Sequence, residues 1–138
     1  MKPGAMSVSP PVLVVEDETV NLELVVALLE EANCQVLTAT SAKDAIRVAA
    51  SERPDLILMD LQLPGMTGYE ATRQLKAHPA TTGIPVVALT ADVTKGAEAR
   101  AKEAGCSAFL TKPINRQALL ETLRRFLPPR EGPKDPPV

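Results

Sequence analysis

The sequence predicts an α/β fold: five parallel strands alternating with five helices that cover both faces of one sheet. Three observations carry this. Short runs rich in Val, Ile and Leu alternate with longer segments whose apolar residues recur at helical spacing, and no internal repeat underlies the pattern. The short runs are apolar at successive positions, as strands buried on both faces are. Most of them stop at a polar residue followed by turn formers. Crossovers between such strands are expected to be right-handed.

Residues 1–10, MKPGAMSVSP, have no periodicity and read as a flexible leader. The first strand is Val12 to Val15, and it stops at Glu16-Asp17-Glu18. A helix follows from Thr19, with Val20, Leu24, Val25, Leu28, Leu29 and Ala32 at helical spacing and Glu23, Glu30 and Glu31 between them. Gln35 to Ala39 is a short second strand. Ser41 and Asp44 stand in a capping-box pattern, with Asp in the place of Glu. They open a helix to about Ser51 whose apolar face is Ala45, Ile46 and Ala49, and Arg53-Pro54 ends it. Leu56 to Met59 is a third strand closing on Asp60, with Pro64 and Gly65 shaping the loop beyond. The third helix runs from Gly68 to Ala77 and stops at His78-Pro79, because the residue before a proline disfavours helical backbone. Pro85 to Leu89 is the fourth strand, ending at Thr90. A fourth helix at 95–104 carries only Ala97, Ala101 and Ala104 on its apolar stripe, with Gly96 near its start. It is expected to be the least firmly docked. Gly105 is its C-cap. Ser107 to Leu110 is the fifth strand, leading to Thr111-Lys112-Pro113. Asn115 caps a last helix with Leu119, Leu120, Leu123, Phe126 and Leu127 on one face. Residues 128–138 hold five prolines among eleven residues and predict a disordered or polyproline-like tail. The folded domain is therefore expected over residues 11–127. No output domain is expected after Leu127.

A length of 138 residues suits one domain with one sizeable core. The net charge of −2 and the absence of a Lys/Arg run argue against a nucleic-acid surface. No apolar stretch is long enough to span a membrane, and the N-terminus lacks the layout of a signal peptide. Cys34 and Cys106 are far apart and have no metal-binding spacing, so reduced buried thiols and a cytoplasmic address are expected. The aromatics are only Tyr69, Phe109 and Phe126, which disfavours base stacking and any cofactor held in an aromatic sandwich.

In an open parallel sheet all strand C-termini lie along one edge, and ligands bind there. The first strand delivers Glu16 and Asp17 to that edge, the third Asp60, the fourth Thr90 and the fifth Lys112. A single aspartate at a strand end is explained as well by a cap or turn. Five polar groups from four strands are not. Three carboxylates together repel unless a cation sits among them, and an oxygen-only ligand set suits Mg2+. Lys112 is a compact charge for a phosphate oxygen, and Thr90 is a hydroxyl donor. Such a set serves phosphoryl transfer, with Asp60 as the nucleophile that becomes an aspartyl phosphate.

The motifs VVED, LILMDLQLPGMTG, LTAD and FLTKPI, in this order and spacing, resemble the receiver domain of two-component response regulators over about Val12 to Leu127. The resemblance implies a CheY-like, flavodoxin-like fold with strand order 2-1-3-4-5. It implies that Asp60 is the phosphorylated residue, that Glu16, Asp17 and Asp60 hold Mg2+ with the backbone carbonyl of Gln62, and that Lys112 pairs with the phosphate. Glu16 stands where Asp is more usual, and its longer arm is expected to place a water between itself and the metal. The resemblance also makes Thr90 and Phe109 the switch pair, with Ala91 as the small neighbour that leaves the site open. Phe109 lacks the hydroxyl of a Tyr at that place. Gln62 and Asp92 are the candidates for setting phosphate lifetime. The Lys112–Pro113 peptide is expected to be cis.

A single-domain response regulator of two-component or phosphorelay signalling is therefore the expected function. A histidine kinase or histidine phosphotransfer protein would donate the phosphoryl group. The output face would be the fourth helix, fifth strand and fifth helix. The protein is expected to be no enzyme in the ordinary sense, but a phosphoacceptor that assists its own phosphorylation and dephosphorylation, as a monomer or weak dimer. Three alternatives stay open: an excised receiver of a hybrid histidine kinase, a receiver-fold interaction module that accepts no phosphate, and a flavin- or nucleotide-binding protein. The last is disfavoured, since Glu16-Asp17-Glu18 stands where a phosphate-cradling loop belongs. His78 reads as a surface residue, Tyr69 as ordinary packing, and the PKDP of residues 133–136 as a chance proline spacing.

Overall fold

The computed structural model describes residues 10–127. The leader (apart from Pro10) and the Pro-rich tail expected at 128–138 lie outside the described residues. The elements are β1 (Pro11–Val15), α1 (Thr19–Glu31), β2 (Gln35–Ala39), α2 (Ala42–Glu52), β3 (Leu56–Asp60), α3 (Gly68–Ala77), β4 (Val86–Thr90), α4 (Lys95–Ala104), β5 (Ala108–Thr111) and α5 (Arg116–Phe126). The strands form one parallel sheet in the order β2-β1-β3-β4-β5, the CheY-like, flavodoxin-like arrangement.

The three interior strands are buried on both faces, and alternate residues feed two separate cores. Leu13, Val15, Ile57, Met59, Val86 and Ala88 point to the side covered by α2, α3 and α4. Val12, Val14, Leu56, Leu58, Val87 and Leu89 point to the side covered by α1 and α5. Burying a side chain of this size stabilises the fold by roughly 1.5–3 kcal/mol. The edge strands are less covered, and Gln35 and Thr38 of β2 are exposed, since an edge strand has a neighbour on one side only.

Helix α1 departs from the expected pattern. Val25 and Leu29 are buried, but Val20 is 72% and Leu24 41% exposed. Both lie more than about 100° around the helix from the Val25–Leu29 line, beyond what the sheet can cover. The expected stripe of α4 holds: Ala97, Ala101 and Ala104 are its buried residues.

The caps follow from local chemistry. Ser41 accepts from the Asp44 N–H at 3.1 Å, and Asn115 accepts from the Ala118 N–H at 3.0 Å. Thr67 and Thr94 cap α3 and α4 in the same way, at 3.2 Å each. Gly105 ends α4 with φ of 113°, in the left-handed region that glycine enters without penalty. No helix among the described residues is long and apolar enough to cross a membrane.

Candidate functional site

β3, β4 and β5 each run one residue further than their apolar runs indicate. Asp60 pairs with Leu89, and Thr90 pairs with Thr111, so Asp60 and Thr90 are the last residues of their strands. The Lys112 N–H donates to the Thr90 carbonyl at 2.8 Å, which ties the end of β5 to that of β4. All five expected polar groups therefore stand at one edge of the sheet.

Glu16, Asp17 and Asp60 each place a carboxylate oxygen within 4.8 Å of the others. Glu16 and Asp60 are buried and Asp17 is exposed, so the cluster is closed below and open at its mouth. The Lys112 ammonium lies between the buried pair, 2.8 Å from Glu16 Oε1 and 3.3 Å from Asp60 Oδ1. The Glu18 N–H donates to Glu16 Oε2 at 3.2 Å, and the Gln62 N–H donates to Asp60 Oδ1 at 2.9 Å. Ion pairing by itself would lift Lys112 and lower Glu16. Burial opposes both effects. It pushes the Glu16 carboxyl above the usual carboxylate range despite the Lys112 hydrogen bond, and the Asp60 charge adds to the rise. For Lys112 burial pulls down, but the Glu16 hydrogen bond and the charges of Asp60 and Glu16 prevail, and the ammonium is held above its ordinary value.

Three carboxylates stand here against one ammonium. The excess negative charge, in hard oxygen donors and partly desolvated, fits a small divalent cation. Glu16, Asp17 and Asp60 would hold it.

The remaining candidates are distributed as follows. Thr90 is 1% exposed, and its Oγ1 accepts from the Asp92 N–H at 3.0 Å. The Asp92 carboxylate is exposed and accepts from both the N–H and the hydroxyl of Thr94, at 3.0 and 2.8 Å. Those bonds hold it below the usual carboxylate range and tie its Oδ1 to the start of α4. Gln62 touches Asp60 through its backbone, and its side chain is exposed. Phe109 is half-buried beside Ala88 and lines a cleft of ≈ 280 Å³ with Ala101, Lys102, Cys106 and Arg125. The Lys112–Pro113 peptide is cis. His78 is exposed, and its Nδ1 accepts from the Ala80 N–H at 3.2 Å within its own turn.

Gly68, a turn former after Asp60 and the start of α3, is also a residue of the site. A Cβ built on it would lie 2.2 Å from the Asp60 carbonyl oxygen and 2.7 Å from Leu61 Cα. The first turn of α3 is thus pressed directly against the end of β3. A glycine inside a helix that gains nothing from it was the available signal.

The response regulator receiver domain family matches residues 12–124. The chain is 39% identical over 116 residues to the polar-differentiation response regulator DivK of Brucella anthropi, covering 84% of this chain and 94% of that protein. Among solved structures it resembles the receiver domain of the Pseudomonas aeruginosa sensor histidine kinase PA1611, which carries a magnesium ion in its active-site cleft (34% identity, TM-score 0.81, 86% of this chain and 98% of that one). It also resembles the Vibrio cholerae chemotaxis protein CheY4 (30% identity, TM-score 0.82, 87% and 100%). A third likeness is to the receiver domain of Saccharomyces cerevisiae Ssk1, crystallised with the histidine phosphotransfer protein Ypd1 (28% identity, TM-score 0.80, 88% and 90%). With the family matched over residues 12–124, 39% identity to DivK over most of both chains and the same fold, this chain belongs to the response regulator receiver domains of two-component signalling.

Proposed function

We propose that the chain is a phosphoacceptor whose Asp60 takes a phosphoryl group from the phosphohistidine of a histidine kinase or histidine phosphotransfer protein. The observation that carries this is the Lys112 ammonium set between two buried carboxylates at the sheet edge, with Asp17 open to solvent beside them.

An Asp60 carboxylate oxygen attacks phosphorus, the P–N bond of the donor breaks, and the imidazole nitrogen leaves with the electron pair. The Gln62 N–H on Oδ1 orients Asp60, and burial shields it from water. Lys112 turns its ammonium to the phosphoryl oxygens, and the Thr90 hydroxyl donates to another. Glu16, Asp17, Asp60 and the Gln62 carbonyl would hold Mg2+, which would supply further positive charge to the phosphoryl oxygens. Hydrolysis later restores the carboxylate, and Gln62 and Asp92 are the side chains assigned to setting its rate. Asp92 gives its Oδ1 to Thr94 and keeps Oδ2 for that role.

The phosphoryl group carries roughly two negative charges. Drawing Thr90 and Lys112 toward it shifts the population between two packings of the β4–α4 segment and Phe109. Moving the protein from mostly off to mostly on takes about 5.5 kcal/mol of differential stabilisation. The face of α4, β5 and α5 is the surface a downstream partner reads. The two buried thiols accord with a reducing, cytoplasmic setting.

The likeness to a sensor-kinase receiver favours one second reading, in which the chain is the receiver segment of a hybrid kinase. The chemistry at Asp60 is the same in both. Incubation with acetyl phosphate and Mg2+, followed by intact-mass measurement, tests the proposal. One added phosphoryl group, lost when a chelator replaces Mg2+, is expected. A mass unchanged in both arms would leave the interaction module that accepts no phosphate.

A further inference from the structure

Arg100 lies in the middle of α4, and its guanidinium carbon stands 4.0 Å from the centroid of the Tyr69 ring. Tyr69 is 6% exposed, so Arg100 covers the outer side of a ring that belongs to the core. The ring's backbone is anchored, because Tyr69 follows Gly68. The Gly68 backbone is pressed on Asp60 and donates to the Leu61 carbonyl at 3.3 Å. Arg100 is therefore seated on a side chain fixed to the end of β3.

Behind the two Thr94 hydrogen bonds, the Arg100 charge also helps hold the Asp92 carboxylate below its ordinary range. The Asp92 N–H in turn donates to Thr90 Oγ1 at 3.0 Å. Arg100 thus has one direct contact, the Tyr69 ring, and its charge is felt more weakly at Asp92. The rest of the α4 contact consists of Ala97, Ala101 and Ala104, the smallest side chains that can form an apolar stripe. With so little area buried, a guanidinium–ring contact is a large share of what holds the helix.

We infer that Arg100 is a positioning residue that clamps α4 to the end of β3, so that α4 answers to events at Asp60 through the Arg100–Tyr69 stack. The coupling part of this rests on the reading of Asp60 as phosphoacceptor.

Amide hydrogen exchange of residues 97–104 tests it, first without phosphodonor. Exchange in Arg100→Ala and in Tyr69→Leu is expected to quicken by about two- to fivefold, the factor an ordinary cation–π contact is worth. Tyr69→Phe, which keeps the ring face, is expected to match the wild type. The double variant Arg100→Ala/Tyr69→Leu is expected to exchange no faster than the quicker single variant. Additive effects, or no effect of Arg100→Ala, overturn the clamp. The second measurement adds acetyl phosphate and Mg2+ and reads the mass gain alongside exchange. With equal labelling, Arg100→Ala is expected to lose most of the wild-type change in α4 exchange. An undiminished change overturns the coupling alone. A wild type that takes no label overturns the phosphoacceptor reading and the coupling with it, while the first measurement still decides the clamp.

Discussion

The half-buried Lys112 and the buried Glu16 form an ion pair, 2.8 Å from Nζ to Oε1, in which the same ammonium also serves Asp60 at 3.3 Å. Removing the lysine leaves two buried carboxylates facing each other. Lys112→Ala is expected to lower stability by about 3 kcal/mol in chelator, the usual cost of stranding a buried charge. Added Mg2+ should recover part of it, and phosphoryl uptake should be slow even then. Urea unfolding with and without metal reads the first effect. A stability equal to the wild type in chelator would mean that the pair is solvated.

Metal binding should stabilise the wild type by mass action. At a free Mg2+ concentration about a hundred times Kd, the gain is about 2.7 kcal/mol. Asp17→Ala removes the exposed member of the carboxylate set and should lose most of that gain with little change in metal-free stability. Thermal melts in Mg2+ and in chelator compare the two proteins. An Asp17→Ala melt that still rises with Mg2+ as the wild type does would take Asp17 out of the site.

Gly68→Ala should be costly and Gly96→Ala should not. The Cβ at residue 68 meets backbone atoms of Asp60 and Leu61, which cannot step aside as a flexible side chain would. A loss of about 3 kcal/mol is expected, together with slower phosphoryl uptake because Asp60 is displaced. The Cβ at residue 96 meets nothing within 4 Å and sits in the first turn of α4, where alanine should add about 0.5–1 kcal/mol. Equilibrium unfolding of both variants checks the contrast.

The Cys106 thiol supplies a pH dependence. Burial holds it above its ordinary value of 9.0, with the Thr72 hydrogen bond and the Lys76 charge opposing. Above that pH the unfolded thiol ionises while the native one stays protonated. The native state then binds more protons, and stability falls as pH rises toward the raised value. Relative to Cys106→Ala, the wild type should lose about 1.4 kcal/mol per pH unit in that window. Unfolding curves between neutral and alkaline pH, subtracted between the two proteins, give this slope. A flat difference would mean that the native thiol ionises freely.

The site was readable from the linear sequence for a geometric reason. A parallel sheet carries all its strand C-termini to one edge, so a strand end in the chain is already an address in space. Glu16, Asp17, Asp60, Thr90 and Lys112 needed nothing more. Long-range packing was not readable in that way. Val20 and Leu24 match a helical stripe, yet only the position of the sheet decides that they face water. Asp92 has the right place in the chain for the site, but its nearest donors are those of Thr94, which also caps α4. Gly68 and the Arg100–Tyr69 stack depend on how α3 and α4 settle against the sheet, and no spacing rule carries that.

The most direct measurement is to map the phosphorylated residue by peptide mass spectrometry after transfer from a phosphohistidine donor or acetyl phosphate with Mg2+. The label is expected on Asp60 in the wild type and absent from Asp60→Asn and Asp60→Ala, both of which should remain folded. Equal, stoichiometric labelling of Asp60→Ala, or a wild-type label on any other residue, would contradict the account.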